Sequence, residues 1–393
     1  MDLHALTPAD EIRRRIEKIQ LAMADASMPA MLVTSNANIY YTTGRVINGY
    51  VYIPADGAPL YFVRRPTGIE APDVIYIHKP EQIIDLLAGH GYGIPEAMGF
   101  ELSLLDVMTF ERLTKAFPGV KPLNASAVLR TARSVKTDFE LDMLRRSGVK
   151  HERVYRRIPH LYEDGMSDIE LQIEIERVSR LEGCLGQFRI AGESMELFMS
   201  NILTGDNADA PTPYDFAMGG AGLDPSLPVG ANGTVIKPGM TVMVDSNGNF
   251  TGYMTDMTRV FSLGEIDDLA RRTHQCSIDI CRAIEKAGVP GTPALQLYEL
   301  AISIVNDRGL ERYFMGHAQK AGFIGHGVGI EINELPVIAP RSRDVLTRHN
   351  VIALEPKFVV PHVGATGIEN TYIVTDRGLE CITNAPEDII SLN

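Results

Sequence analysis

Five positions in this 393-residue chain combine residue types that can act together on a substrate. Val242-Met243-Val244-Asp245 is a short apolar run ending in a carboxylate, and Gly252-Tyr253-Met254-Thr255-Asp256 opens a second strand-like run with another. This pattern predicts a hairpin. A register centred on Phe250 and Thr251 sets Asp245 beside Asp256, whereas a tight turn at Asn247-Gly248 would shift the pairing. Glu355 ends the apolar run Val351 to Leu354, Glu369 lies inside the run Gly367 to Val374, and His326 sits in the glycine-rich stretch Gly322 to Gly329. A carboxylate in an apolar strand is costly unless it is paired or binds metal. Two Asp, two Glu and one His make an oxygen-rich site for divalent cations, because hard carboxylates bridge such ions and four of them balance two. Each residue alone has a simpler reading. Asp245 and Asp256 can end loops, and Glu355 and Glu369 can pair with Arg259 or Lys357.

The elements that must position these residues are legible as periodicities. In the first third, short apolar runs (Met31 to Thr34, Tyr50 to Ile53, Leu60 to Val63, Val74 to Ile77) alternate with turn signals such as Asp56-Gly57 and with helical segments at 13 to 26 and 81 to 87. That alternation predicts a small α/β domain around a mixed sheet. A boundary falls near Leu129 to Lys136. Beyond it, Thr137 to Ile158 and Ser167 to Leu181 are amphipathic, the second opened by the capping box Ser167-x-x-Glu170 and closed by Gly183. Residues 203 to 236 are rich in Gly, Pro, Asp and Asn and predict irregular loops of the kind that line sites. Strands return from Thr241, interrupted by helices near 267 to 287 and 294 to 307, so the last two thirds form a second, α+β domain.

Composition narrows the function classes. Lys plus Arg is 37 against 50 for Asp plus Glu, a balance of −13, which gives no field to attract nucleic acid or an anionic membrane. No run reaches the length of a membrane span, and the first twenty residues carry Asp10, Glu11 and Arg13 to Arg15 in place of a signal-peptide core, so a cytoplasmic protein is expected. Cys184, Cys276, Cys281 and Cys381 show no CxxC spacing and are expected to be reduced. The expected partner is a small molecule or a protein.

Taken together, Asp245, the eleven-residue step to Asp256 in GYMTDMTR, His326 in GHGVG, Glu355 in LEP and Glu369 in GIEN resemble the pita-bread metallopeptidase family of methionine aminopeptidase, aminopeptidase P, prolidase and creatinase. Ile39 to Gly44 is similar to the N-terminal domain of the last three, and Arg133-Ser-Val-Lys136 with Glu140 to the start of the catalytic domain. The resemblance implies a creatinase-like α/β domain over 1 to 133, a pita-bread catalytic domain over 134 to 393, and a homodimer. It implies two divalent ions, Mn²⁺ first and Co²⁺, Zn²⁺ or Fe²⁺ as alternatives. Asp245 would hold the first, Asp256 and Glu369 would bridge both, and His326 and Glu355 would complete the second. A bridging hydroxide would then attack a peptide or amide carbonyl, with Glu355 shuttling the proton.

Departures from the family pattern bear on the reaction. Histidines expected at three positions are replaced by Asn333, Gly322 and approximately Pro228, and an expected arginine by Gly367. Those histidines would meet the developing negative charge, so Asn333, Glu334, His317 and Lys357 become the candidates to act beside the metals. Three readings follow: a binuclear-metal hydrolase like Xaa-Pro aminopeptidases and dipeptidases, a non-peptidase hydrolase or lyase on the same fold, and a non-catalytic interaction module.

Overall fold

Asp56 and Gly57 separate two apolar runs, and the strands on either side, Asn48–Pro54 and Leu60–Arg65, pair antiparallel. They are part of a six-stranded sheet in the order Val74–Tyr76, Leu60–Arg65, Asn48–Pro54, Ala30–Val33, Ala97–Phe100, Lys121–Asn124, in which the last three run parallel to one another. The sheet is mixed: a short turn joins the Asn48–Pro54 and Leu60–Arg65 hairpin, and a helix carries the crossover between the parallel strands Ala97–Phe100 and Lys121–Asn124. Leu32, Tyr52, Phe62, Met98, Phe100 and Leu113 form its core, each such side chain stabilising the fold by roughly 1.5–3 kcal/mol on burial. This computed structural model describes residues 1–192, 198–215 and 218–392. Its chain divides into two compact units, Met1–Arg133 and Ser134–Asn393.

The second unit opens with a helix, Asp138–Tyr155, that starts at a reciprocal capping box. Glu140 N–H donates to Thr137 Oγ1 and Thr137 N–H to Glu140 Oε2, which satisfies two donors that a helix start leaves orphaned. The next helix, Asp168–Leu181, begins with the Ser167 and Glu170 box. Gly183 follows it at φ +93°, the left-handed conformation that ends helices at little cost only in glycine. Three sheets complete the unit. The first, of four strands, runs in the order Ile390–Ser391, Met254–Ser262, Thr241–Asn249, Ser200–Thr204. The second, of five, runs Glu334–Ile338, Gly325–Gly327, Val351–Leu354, Asn370–Thr375, Gly378–Cys381. Lys357–Val360 and Gly364–Gly367 form a separate ribbon.

Helices Asp268–Ala287 and Ala294–Asp307 bury Cys276, Ile280, Ile284, Leu297 and Ala301 against Ile338, Ile352 and Leu354 of the five-stranded sheet. All four cysteines are free. Among the described residues no helix is long and apolar enough to cross a membrane. The expected loop over 203 to 236 differs at its start. Ser200–Thr204 is a strand on the edge of the four-stranded sheet, held there by Ile202 and Leu203, which are fully buried. Five residues running into a glycine-rich stretch carry too short a pattern to read, and long-range packing decides the conformation.

Candidate metal centre

The two aspartates are not directly opposite one another. Across the central hairpin Asp245 pairs with Thr258 and Asn247 with Asp256, a register two residues away from the one centred on Phe250 and Thr251. Strand Thr241–Asn249 continues through Asn247-Gly248 and the chain reverses over residues 250 to 253, so that dipeptide is ladder, not turn. Because the side-chain period is two, Asp245, Asn247, Asp256 and Thr258 still share one face, with the aspartates on a diagonal.

The other candidates come from the facing sheet. A single antiparallel bridge, Thr258 to Glu369, joins the two sheets, and Thr258 Oγ1 donates to Glu369 Oε2 at 2.8 Å. Thr371 Oγ1 accepts from Asp256 N–H and donates to Asp256 O, each at 2.8 Å. His326 lies on the short strand Gly325–Gly327 beside Val351–Leu354, whose end delivers Glu355. Ligand-type atoms of Asp256, His326 and Glu369 lie within 4.8 Å of one another, and so do those of Asp245, Glu355 and Glu369. His326 Nε2 is 3.3 Å from Glu355 Oε1 and 3.9 Å from Asp256 Oδ2. The structure thus brings all five predicted ligands into one cluster.

A sixth residue sits inside it. Lys357 is fully buried, and its Nζ donates to Asp245 Oδ2 and Glu355 Oε2 at 2.8 Å and to Glu369 Oε2 at 3.0 Å. Burial alone would discharge an ammonium, but Asp245, Glu355 and Glu369 outweigh that and hold its pKa far above the ordinary lysine value. For Glu355, burial favours the neutral acid, yet Lys357 and His326 win and keep it ionised. Asp256 and Glu369 go the other way, because burial and the neighbouring carboxylates push both upward. Without a cation beside them, Asp256 and Glu369 are therefore pushed toward their neutral forms. Glu369 Oε1 is buried with no hydrogen-bond partner. An orphaned buried carboxylate oxygen beside a second carboxylate and an imidazole nitrogen is a donor set that fits a divalent ion.

The remaining predicted residues are engaged elsewhere. Glu334 is buried and accepts from Lys136 Nζ at 2.8 Å and from the backbone N–H of Ile330 and Glu331. Asn333 exchanges two hydrogen bonds with the backbone of Ala191. His317 Nδ1 is 2.9 Å from Asp209, and Arg312 donates to its other nitrogen. Arg259, the alternative partner for the glutamates, donates to the main-chain oxygens of Thr258, Glu369, Thr383 and Ala385 and to Asn370 Oδ1, fixing the strand that carries Glu369. Asn247 escapes sequence reasoning because Asn-Gly signals a turn. It stands opposite Asp256, is 4% exposed, and neither side-chain polar atom has a partner.

Family models match both units of the chain. The model of metallopeptidase family M24 matches residues 142–376, more than half of the chain, and that of the creatinase/prolidase N-terminal domain matches residues 15–135. The chain belongs to metallopeptidase family M24. It is 26% identical over 400 residues to a probable dipeptidase PepE of Mycobacterium tuberculosis, with 97% of each chain covered. It is 24% identical over 391 residues to an Xaa-Pro dipeptidase of Pyrococcus furiosus, covering 96% of this chain and 100% of the relative. An Xaa-Pro dipeptidase structure from Bacillus anthracis superposes with a TM-score of 0.79 at 22% identity over 97% of this chain and 100% of the other. An X-Pro aminopeptidase structure from Thermotoga maritima gives 0.77 at 20% identity over the whole of both chains.

Proposed function

We propose that this member of family M24 is a metal-dependent hydrolase of short peptides or small amides, with its reaction centre at Asp256, His326 and Glu369 in the second unit. The observation that carries this reading is that Glu369, whose ligand atom converges with those of Asp256 and His326, keeps a buried oxygen without a partner. Asp256, His326 and Glu369 would hold a divalent ion, which when bound would supply Lewis acidity to a carbonyl and to a water. Mn²⁺ suits carboxylate and imidazole donors and is proposed first, with Co²⁺, Zn²⁺ and Fe²⁺ as alternatives.

The chain's own groups divide the other work. Thr258 and Arg259 orient Glu369, the first through its carboxylate and the second through its main-chain oxygen. Glu355, kept ionised between Lys357 and His326, accepts and returns a proton at Oε1, the oxygen that Lys357 leaves free. Asn247 presents an unpaired amide on the same face as Asp256, where it can donate to an oxygen that gains charge. The family relatives are named dipeptidases and Xaa-Pro dipeptidases, so a dipeptide ending in proline is the first substrate to try.

Engagement of Asn333 with Ala191, together with Gly322 and Pro228 at other expected histidine positions, favours a second reading in which the substrate is a small non-peptide amide or a lyase substrate. One screen tests both. Chelated protein is reloaded with Mn²⁺ and assayed on Xaa-Pro dipeptides, other dipeptides and small amides. Turnover that needs the metal and is lost in Asp256→Asn is expected. Metal-loaded protein that turns over none of these above its metal-free blank would refute the hydrolase.

A further inference from the structure

We infer that the Lys357 ammonium fills one of the two cation positions of this carboxylate cluster, so that the chain binds a single divalent ion, at Asp256, His326 and Glu369. This deepens the proposed function and rests on it.

Position carries the argument. The three oxygens that converge on Lys357 Nζ, at 2.8, 2.8 and 3.0 Å, belong to Asp245, Glu355 and Glu369. The same three residues make up the second group of converging ligand atoms. An ion bound by those oxygens at roughly 2.0–2.2 Å would occupy the space that the ammonium holds. Lysine has three donors and no acceptor, and all three are spent here, one on each carboxylate.

The lysine has no inexpensive way out. Its side chain is 0% exposed, and its backbone is locked because Met315 N–H donates to Lys357 O at 2.8 Å while Gly367 pairs across the ribbon. Moving the ammonium away would leave it buried without partners, at the penalty of an isolated charge. Among the described residues, the other group of converging ligand atoms, from Asp256, His326 and Glu369, contains no lysine contact to Asp256 or His326, and Glu369 keeps a buried oxygen, Oε1, without a partner.

The test is metal stoichiometry, which does not depend on knowing the substrate. Full-length protein is stripped with chelator, reloaded with excess Mn²⁺, desalted and analysed for Mn per chain, with calorimetric titration in parallel. One ion per chain is expected for wild type. Asp245→Asn should still bind one, because Asp245 serves the ammonium and not the ion. Lys357→Ala, and Lys357→Met as the variant that preserves packing, should bind a second ion. Two ions in wild type would overturn the inference while leaving the metal-dependent reading intact. One ion in both Lys357 variants, or none in Asp245→Asn, would also overturn it. No ion in wild type would overturn the proposed function itself.

Discussion

Replacing Lys136 by methionine isolates what Glu334 does. The Glu334 carboxylate is 3% exposed and its partners include Lys136 Nζ at 2.8 Å, the N–H of Ile330 at 3.0 Å and that of Glu331 at 3.2 Å. Methionine keeps the volume of the lysine stem and removes the ammonium from beside the buried carboxylate. Breaking a buried pair from one side costs about 3–5 kcal/mol, and the two backbone donors that stay put Lys136→Met at about 3. With a urea slope of about 3 kcal/mol/M for a unit of this size, the unfolding midpoint of the second unit should fall by about 1 M. Adding Glu334→Gln removes the buried charge while keeping an acceptor for Ile330 and Glu331. The double variant should therefore be more stable than Lys136→Met alone. Urea unfolding followed by far-UV circular dichroism, with hydrogen exchange over Val351–Leu354 to report the second unit, supplies both numbers. A loss below about 1 kcal/mol in Lys136→Met, or strictly additive losses in the double variant, would refute the expectation that the buried Lys136 and Glu334 pair stabilises the second unit.

Other expectations follow from the same geometry. Arg259→Lys replaces a planar fork by three donors and strands at least two buried carbonyls, which should cost about 2–6 kcal/mol and weaken Mn²⁺ affinity, measured by thermal melts and titration. Asn247→Ala should lower kcat/KM by roughly 10²-fold without changing metal content, and an unchanged rate would remove Asn247 from the reaction. His151 and His274 are buried neutral, with burial lowering their pKa to about 3 and about 4. The unfolded chain therefore binds more protons than the folded one below an ordinary value of about 6.5, so stability is complete above that pH and falls as pH drops toward 4. His151→Gln should flatten this slope in melts taken across that range. Turnover of generic Xaa-Pro dipeptides should be slow even when metal is saturating, and a kcat near roughly 10 s⁻¹ would show that the replaced histidines are compensated.

What sequence discloses here, and what it withholds, separates along the range of the forces involved. Asp245, Asp256, Glu355 and Glu369 could be singled out because a carboxylate at the end of an apolar run is anomalous within a few residues of itself. The capping boxes at Ser167 and Thr137 are equally local, and the structure uses both. Hairpin register is not local. Asn247-Gly248 satisfies the rule for a two-residue turn, but bridge Thr258 to Glu369 and the contacts of Thr371 with Asp256 fix the ladder from another sheet. Glu334 follows Asn333 directly, yet its partner lies 198 residues away at Lys136. Lys357 was visible as a cation two residues from Glu355. That it reaches Asp245 as well, 112 residues back, depends on how two sheets meet.

The diagonal placement of Asp245 and Asp256 makes the hairpin tip a measuring device. Four residues separate strand Thr241–Asn249 from Met254–Ser262, and together with the contacts from the facing sheet that interval sets which rung each aspartate occupies. Inserting or deleting one residue there would turn Asp256 to the opposite face of the sheet, away from His326 and Glu369, although every ligand would still be encoded. A two-residue change would keep the face but move Asp256 by a rung. Chains assembled by recombination or loop grafting should thus tolerate length variation almost anywhere on the surface of this unit before they tolerate it between Phe250 and Tyr253. An alignment gap at that place would be a sharper sign of lost chemistry than a substitution beside the metal.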